Sequence, residues 1–195
     1  GEVVPVTVKS RKGEVVVDTD EQPGKGNPDK IPALKPAFAK DGTITAATSS
    51  SISDGAAAVV LSRESVASAK GIKPVARIVA VSAHAQEPAK FTTAPVGAIT
   101  TLLEKAGWSI GDVDLFEVNE ALACVAMFAM HDLGIPHDKV NVNGGATALG
   151  HPIGASGTRI LVTLINALKE KGLKRGVASL CIGGGEATAV AVEIV

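Results

Sequence analysis

Gly144–Gly157 reads Gly-Gly-Ala-Thr-Ala-Leu-Gly-His-Pro-Ile-Gly-Ala-Ser-Gly, and five of these fourteen residues are glycine. Glycine admits positive φ and lets other groups come close to the backbone. Pro152 fixes its own φ and drives His151 toward extended backbone. One imidazole therefore sits on a stiff point inside a glycine-rich loop. Such a group can hold or move a proton near neutral pH. The competing reading is a loop histidine satisfied by backbone groups. The loop runs into a helical stretch, Ser156–Lys171, which Gly172 stops.

Outward from this loop, strand and helix patterns alternate. Val75–Ser82 is apolar and strand-like, and Pro95–Lys105 is helical with Gly107 after it. Val113–Val118 is the next strand, and Glu120–Leu133 the next helix, stopped by Gly134. Val140–Asn143 reads as a short strand feeding the loop. Val177–Ile182 and Ala187–Ile194 are strands joined through Gly183-Gly184-Gly185. The order βαβαβαββ predicts an α/β fold, a mainly parallel sheet between helices. Upstream, Val3–Lys9 and Glu14–Asp18 predict a β-hairpin. Thr19–Pro36 reads as surface loop, with a short helical turn at Lys35–Ala39. Gly55–Leu61 reads as a strand, and Ser62 as the cap of a helix over Arg63–Lys70. A domain boundary falls near Gly71–Pro74.

In open α/β sheets, ligands gather beyond the carboxyl ends of strands. Asn119-Glu120, the His151 loop and Cys181-Ile182-Gly183 all lie at such ends, so the three are expected to meet at one edge. Cys181 reads either as a small buried hydrophobe or as a thiolate nucleophile or base. Asn119 reads equally well as a helix N-cap or as an amide that positions a water or an oxyanion. Gly183–Gly185 is either a tight turn or a source of N–H groups for developing negative charge. Cys124, inside an apolar helix, reads as core. His84, His131 and His137 have no metal-ligand spacing and read as surface or loop residues, so no metal site is expected.

Composition bounds the partners. The chain has 195 residues, 46% apolar and 20% charged, enough to bury a core. A net charge of −1 argues against nucleic acid or a membrane surface as partner. No apolar run reaches the about 18 residues of a membrane span. Neither a dinucleotide fingerprint nor a phosphate-loop lysine is present. Two cysteines fit a reducing compartment. With no signal-peptide layout and no peroxisomal C-terminus, a cytoplasmic location is expected.

Three segments are specific enough to name a family. Asn119-Glu120-Ala121-Leu122-Ala123, Gly144-Gly145-Ala146 through Gly150-His151-Pro152-Ile153-Gly154-Ala155-Ser156-Gly157, and Cys181-Ile182-Gly183-Gly184-Gly185 resemble the three C-terminal signatures of the thiolases. Asp41-Gly42-Thr43-Ile44-Thr45 and Ser53-Asp54-Gly55-Ala56-Ala57-Ala58 resemble thiolase sequence as well. The likeness is nearest to the acetyl-CoA acetyltransferase type. It implies that residues 1–52 end a coenzyme A-binding loop domain. Residues 53–71 would be the last strand and helix of the N-terminal domain, and 72–195 the C-terminal domain.

The resemblance also implies roles. A family cysteine attacks an acyl-CoA thioester. His151 would activate it and, with a water held by Asn119, bind the thioester oxygen. Cys181 would take the α-proton of a second acetyl-CoA, and the Gly183 N–H would join a second oxyanion hole. Ser50, Ala46 and Phe38 match positions that touch coenzyme A. Ala121, Leu122 and Phe91 match substrate positions, and the last two bear on acyl-chain preference. Thr48 stands where asparagine is common. The nucleophilic cysteine belongs to an N-terminal half that this sequence lacks, so the chain alone is expected to be inactive. Partners implied are acetyl-CoA and acetoacetyl-CoA, the N-terminal portion, and further copies in a dimer or tetramer; no separate cofactor is implied. A non-catalytic acyl-CoA-binding subunit and a condensing enzyme of the same superfold are the alternatives.

Overall fold

The computed structural model describes residues 2–195. A hairpin of β1 (Val6–Ser10) and β2 (Gly13–Val17) opens the chain, paired from Val6↔Val17 to Ser10↔Gly13. The expected surface loop after it contains two 3-10 turns, Pro23–Lys25 and Pro28–Ala33. Lys35–Ala39 forms no helical turn. The helix expected over Arg63–Lys70 is α1 (Glu64–Ala69). Arg63 occupies its N-cap, and the Ser62 hydroxyl donates to the Arg63 carbonyl instead of capping the helix.

The expected strand Gly55–Leu61 does not form, and Val60 is fully exposed. An isolated segment cannot be a strand, because its N–H and C=O groups need a neighbour to pair with. Among the described residues, no segment runs beside it in a ladder.

The C-terminal part is built on a four-stranded sheet. Its strands are β3 (Ala76–Ala85), β4 (Leu115–Val118), β5 (Arg175–Cys181) and β6 (Glu186–Ile194), in the order β3-β6-β5-β4. β4 runs parallel to β5, with Val118 opposite Ser179. β6 is antiparallel to both β5 and β3. Thus β3, β4 and β5 share one direction, but two of the three ladders are antiparallel. The cause is the tight return from β5, which drops β6 between β5 and β3. The expected strand Val140–Asn143 contributes only one parallel bridge, Val140 to Phe116. Asn141 adopts φ 48°, which takes the chain off the extended path.

Helices cover both faces. α2 (Ala94–Ala106) and α3 (Ala123–Leu133) pack on one side with Phe116, Val118 and Val177. α5 (Ser156–Lys171) packs on the other, with Ile160, Leu164 and Leu168 against Leu115, Ala178 and Val192. The i, i+4 spacing of those α5 residues lines them up on one face of the helix. A short helix, α4 (Ala146–Leu149), lies inside the glycine loop and was not foreseen. Gly107, Gly134 and Gly172 end α2, α3 and α5 in the left-handed conformation, as expected. Gly176 lets α5 sit close on β5: a Cβ there would come within 2.8 Å of Leu164.

Leu164 has no exposed surface. Leu164→Ala should therefore lower unfolding free energy by about 2–5 kcal/mol, as for other buried leucines. Chemical denaturation measures this, and a loss below about 1 kcal/mol would show that α5 is not packed as described.

Candidate active site

β4 delivers Asn119 to the carboxyl edge of the sheet. Its N–H donates to the Ser179 carbonyl at 2.9 Å, extending the ladder by one residue. α3 begins at Ala123 with Leu122 at its N-cap position, so Asn119 does not cap it. The Asn119 side chain is buried, and its Nδ2 lies 3.4 Å from His151 Nε2. Its Oδ1 is buried with no donor among the described residues. An unpaired buried acceptor costs about 1–3 kcal/mol, so its presence calls for a functional explanation.

His151 is fixed on both sides. Its N–H donates to the Ser51 carbonyl at 2.9 Å, and it bridges Ile52 in parallel fashion. Its Nδ1 lies 2.6 Å from Ser156 Oγ, and the Ser156 hydroxyl donates to the Pro152 carbonyl at 3.0 Å. With the serine proton so used, the hydrogen-bond network assigns the remaining proton to Nδ1. Nε2 then carries a lone pair toward Asn119. Burial, aided by the Arg159 guanidinium, holds the imidazole pKa below its ordinary 6.5. Near neutral pH the ring is an uncharged base.

Cys181 ends β5 and is buried. Burial pushes its thiol above the usual value, with a smaller contribution from Cys124. The resting group is a thiol, not a thiolate. Cys124 itself is only partly buried, at the second position of α3, and does not belong to the core.

Gly183 is exposed in the turn that follows β5. That turn is closed by Ile182 N–H to the Glu186 carbonyl at 2.7 Å and by Gly185 N–H to the Ile182 carbonyl at 3.2 Å. The Gln86 N–H braces it through the Gly185 carbonyl at 3.0 Å. The Gly183 N–H has no partner among the described residues.

A loop from the N-terminal third docks beside these groups. The Ser50 N–H and hydroxyl both donate to the Ala121 carbonyl, at 3.2 and 2.9 Å. The Ala123 N–H donates to the Thr48 carbonyl at 2.9 Å. Ala121 and Leu122 are partly buried against the core, as is Phe91 on the 3-10 turn Pro88–Thr93. Ala46 and Phe38 stand on open surface, Phe38 being 84% exposed. His84 departs from expectation, since it lies partly buried on β3 with Nε2 3.1 Å from Gln86 Oε1.

Two features escaped the sequence reading. Ser156 looked like a helix start only, although a hydroxyl five residues after a histidine, across a Pro-Ile-Gly-Ala bend, was the available signal. Glu117, two residues before Asn119 on β4, is almost wholly buried. Burial raises its pKa to about 8 against the opposing pull of Arg159, 3.8 Å away, so it is mostly protonated at pH 7. Among the described residues, no group of three or more His, Cys, Asp or Glu is placed to hold a metal ion.

These features define an α/β domain with a neutral histidine base and a buried thiol at the carboxyl edge of one sheet. The chain belongs to the thiolase family: the thiolase C-terminal domain matches residues 72–194, and the thiolase N-terminal domain matches residues 1–65. It is 50% identical over 194 residues to an acetyl-CoA acetyltransferase of Allochromatium vinosum, covering 98% of this chain and 49% of that protein. It is 51% identical over 195 residues to the cytosolic acetyl-CoA acetyltransferase of Mus musculus, with the same 49% of the relative covered. The crystal structure of the Bacillus anthracis acetyl-CoA acetyltransferase superposes with a TM-score of 0.95 at 46% identity, over 98% of this chain and 49% of that one. Human mitochondrial 3-ketoacyl-CoA thiolase superposes with a TM-score of 0.88 at 36% identity, again over 98% and 49%. The chain thus spans about half the length of the curated relatives it matches. No helix among the described residues is long and apolar enough to cross a membrane.

Titration of His151 by NMR should give a midpoint below 6.5, and Arg159→Gln should move it upward. An unchanged midpoint in the variant would remove the guanidinium as a cause.

Proposed function

We propose that this chain is the acid–base half of a coenzyme A-dependent thiolase that interconverts two acetyl-CoA with acetoacetyl-CoA and free coenzyme A. The observation that carries this reading is the His151–Asn119 pair, an unprotonated Nε2 beside a buried amide. In the first step His151 Nε2 takes the proton of a cysteine thiol on the N-terminal portion. The thiolate attacks the acetyl-CoA carbonyl carbon, the bond to the coenzyme A sulfur breaks, and Cys181 gives its thiol proton to that sulfur, leaving Cys181 as thiolate. Charge on the thioester oxygen is stabilised by fixed donors, here His151 and a water held by Asn119.

In the second step Cys181, as thiolate, takes the α-proton of another acetyl-CoA. The resulting carbanion attacks the acyl-enzyme carbonyl, and the enzyme thiolate leaves and recovers its proton from His151. The Gly183 N–H stabilises the oxygen that becomes negative. In the reverse direction Cys181 starts as the thiol and donates its proton to the departing acetyl-CoA carbanion. Its burial favours that resting form. Ser50, Ala46 and Phe38 are proposed to meet coenzyme A, with Ala121, Leu122 and Phe91 beside the acyl group. For Ser50 the contact would use its oxygen as acceptor, since its proton is engaged with Ala121. A partner carrying the N-terminal portion would supply the nucleophile and a neighbour for the unpaired Gly55–Leu61 segment. The whole would work as a cytoplasmic homodimer or tetramer in fatty acid metabolism, with no separate cofactor.

Purified alone, this chain should not cleave acetoacetyl-CoA. Combined with the N-terminal portion it should, and His151→Ala and Cys181→Ala should each lower turnover by about 10²–10⁴-fold. Cleavage by the chain alone, or near-normal turnover in either variant, would contradict the assignment.

A further inference from the structure

Glu120 follows Asn119 directly, and a carboxylate after a strand end suggests a helix-dipole partner. The structure gives it another place. α3 begins three residues later, and the Glu120 side chain reaches away from it to the glycine loop. Its Oε1 accepts from Asn141 Nδ2 at 2.8 Å. Its Oε2 accepts from the Thr147 N–H at 3.2 Å and from the Thr147 hydroxyl at 2.5 Å. All three partners donate, so both oxygens act as acceptors.

Each end of this clasp is anchored. Asn141 holds the backbone of β4 through its amide, accepting from the Val118 N–H at 2.8 Å and donating to the Val118 carbonyl at 2.9 Å. Thr147 lies in α4, which runs into Gly150 and His151; the Gly150 N–H donates to the Ala146 carbonyl at 2.8 Å. Gly145 sits against the carboxyl group so closely that a Cβ would overlap it, so any side chain there would push Glu120 out of this position. One carboxylate therefore ties the segment bearing Asn119 to the loop bearing His151.

We propose that Glu120 is a positioning residue that sets the separation of Asn119 Nδ2 and His151 Nε2. It touches neither reacting group. A loop with so many glycines resists displacement weakly by itself. Charge-assisted hydrogen bonds to Asn141 and Thr147 supply the missing stiffness. The rate readout rests on the proposed thiolase chemistry, whereas the titration readout does not.

The test uses Glu120→Gln in the chain combined with the N-terminal portion. Glutamine keeps the shape but turns one oxygen into a donor, which must face Thr147 or Asn141 donor to donor. Expected is a fall in kcat of about 10- to 100-fold with KM changed by less than about twofold. In a His151→Ala background the same substitution should cost less than about twofold, because the group it positions is gone. The His151 titration midpoint should rise toward 6.5 as the loop opens to solvent. Thr147→Val, which removes one donor only, should move each readout the same way by less, and it stands in if Glu120→Gln does not fold. Equal losses in both backgrounds, or an unmoved His151 midpoint, would overturn the positioning role. If the unaltered enzyme has no thiolase activity while the midpoint still responds, the thiolase reading fails and the clasp stands.

Discussion

The site depends on the register of β4 against its two parallel neighbours. Val118 lies opposite Ser179 on β5, and Phe116 bridges Val140 on the other side. With those pairings fixed, Asn119, the glycine loop and Cys181 must emerge at one edge, although they are far apart in sequence. A shift of one residue would turn Asn119 to the opposite face of the sheet. The apolar packing on both faces holds that register: Phe116 and Val118 face α2 and α3, and Leu115 faces α5.

On this frame the chemistry is set by who holds which proton. Ser156 spends its own proton on the Pro152 carbonyl and so accepts from His151 Nδ1. Burial keeps the imidazole neutral and keeps Cys181 as a thiol. Both shifts have the same leading physical cause, yet they prepare one group as a base and the other as an acid. Buried Glu117 is mostly protonated near neutral pH, which limits the full negative charge placed behind Asn119.

Much of this was legible in the sequence. Helix ends at Gly107, Gly134 and Gly172 follow from local backbone preference, and the strands β3, β5 and β6 from apolar runs bounded by glycine or charge. What failed were features decided by distant partners. Gly55–Leu61 has strand composition but no neighbour, so composition could not make it a strand. Val140–Asn143 was diverted at Asn141, whose side chain took over the pairing with Val118. For Asn119 the sequence left two readings even, and only the start of α3 at Ala123 separated them. The hydrogen bonds of Ser156 and Glu120 join residues through folds in the loop, and no periodic pattern encodes them.

The assignment of a bare Nε2 on His151 carries the most weight. Long-range ¹H–¹⁵N correlation of the ring nitrogens, recorded above pH 7, reports directly which nitrogen holds the proton. Protonated Nδ1 with unprotonated Nε2 is the expected result. A proton on Nε2 would mean that Ser156 donates to the ring and that His151 cannot accept a proton on the side facing Asn119, which would contradict its role as the base.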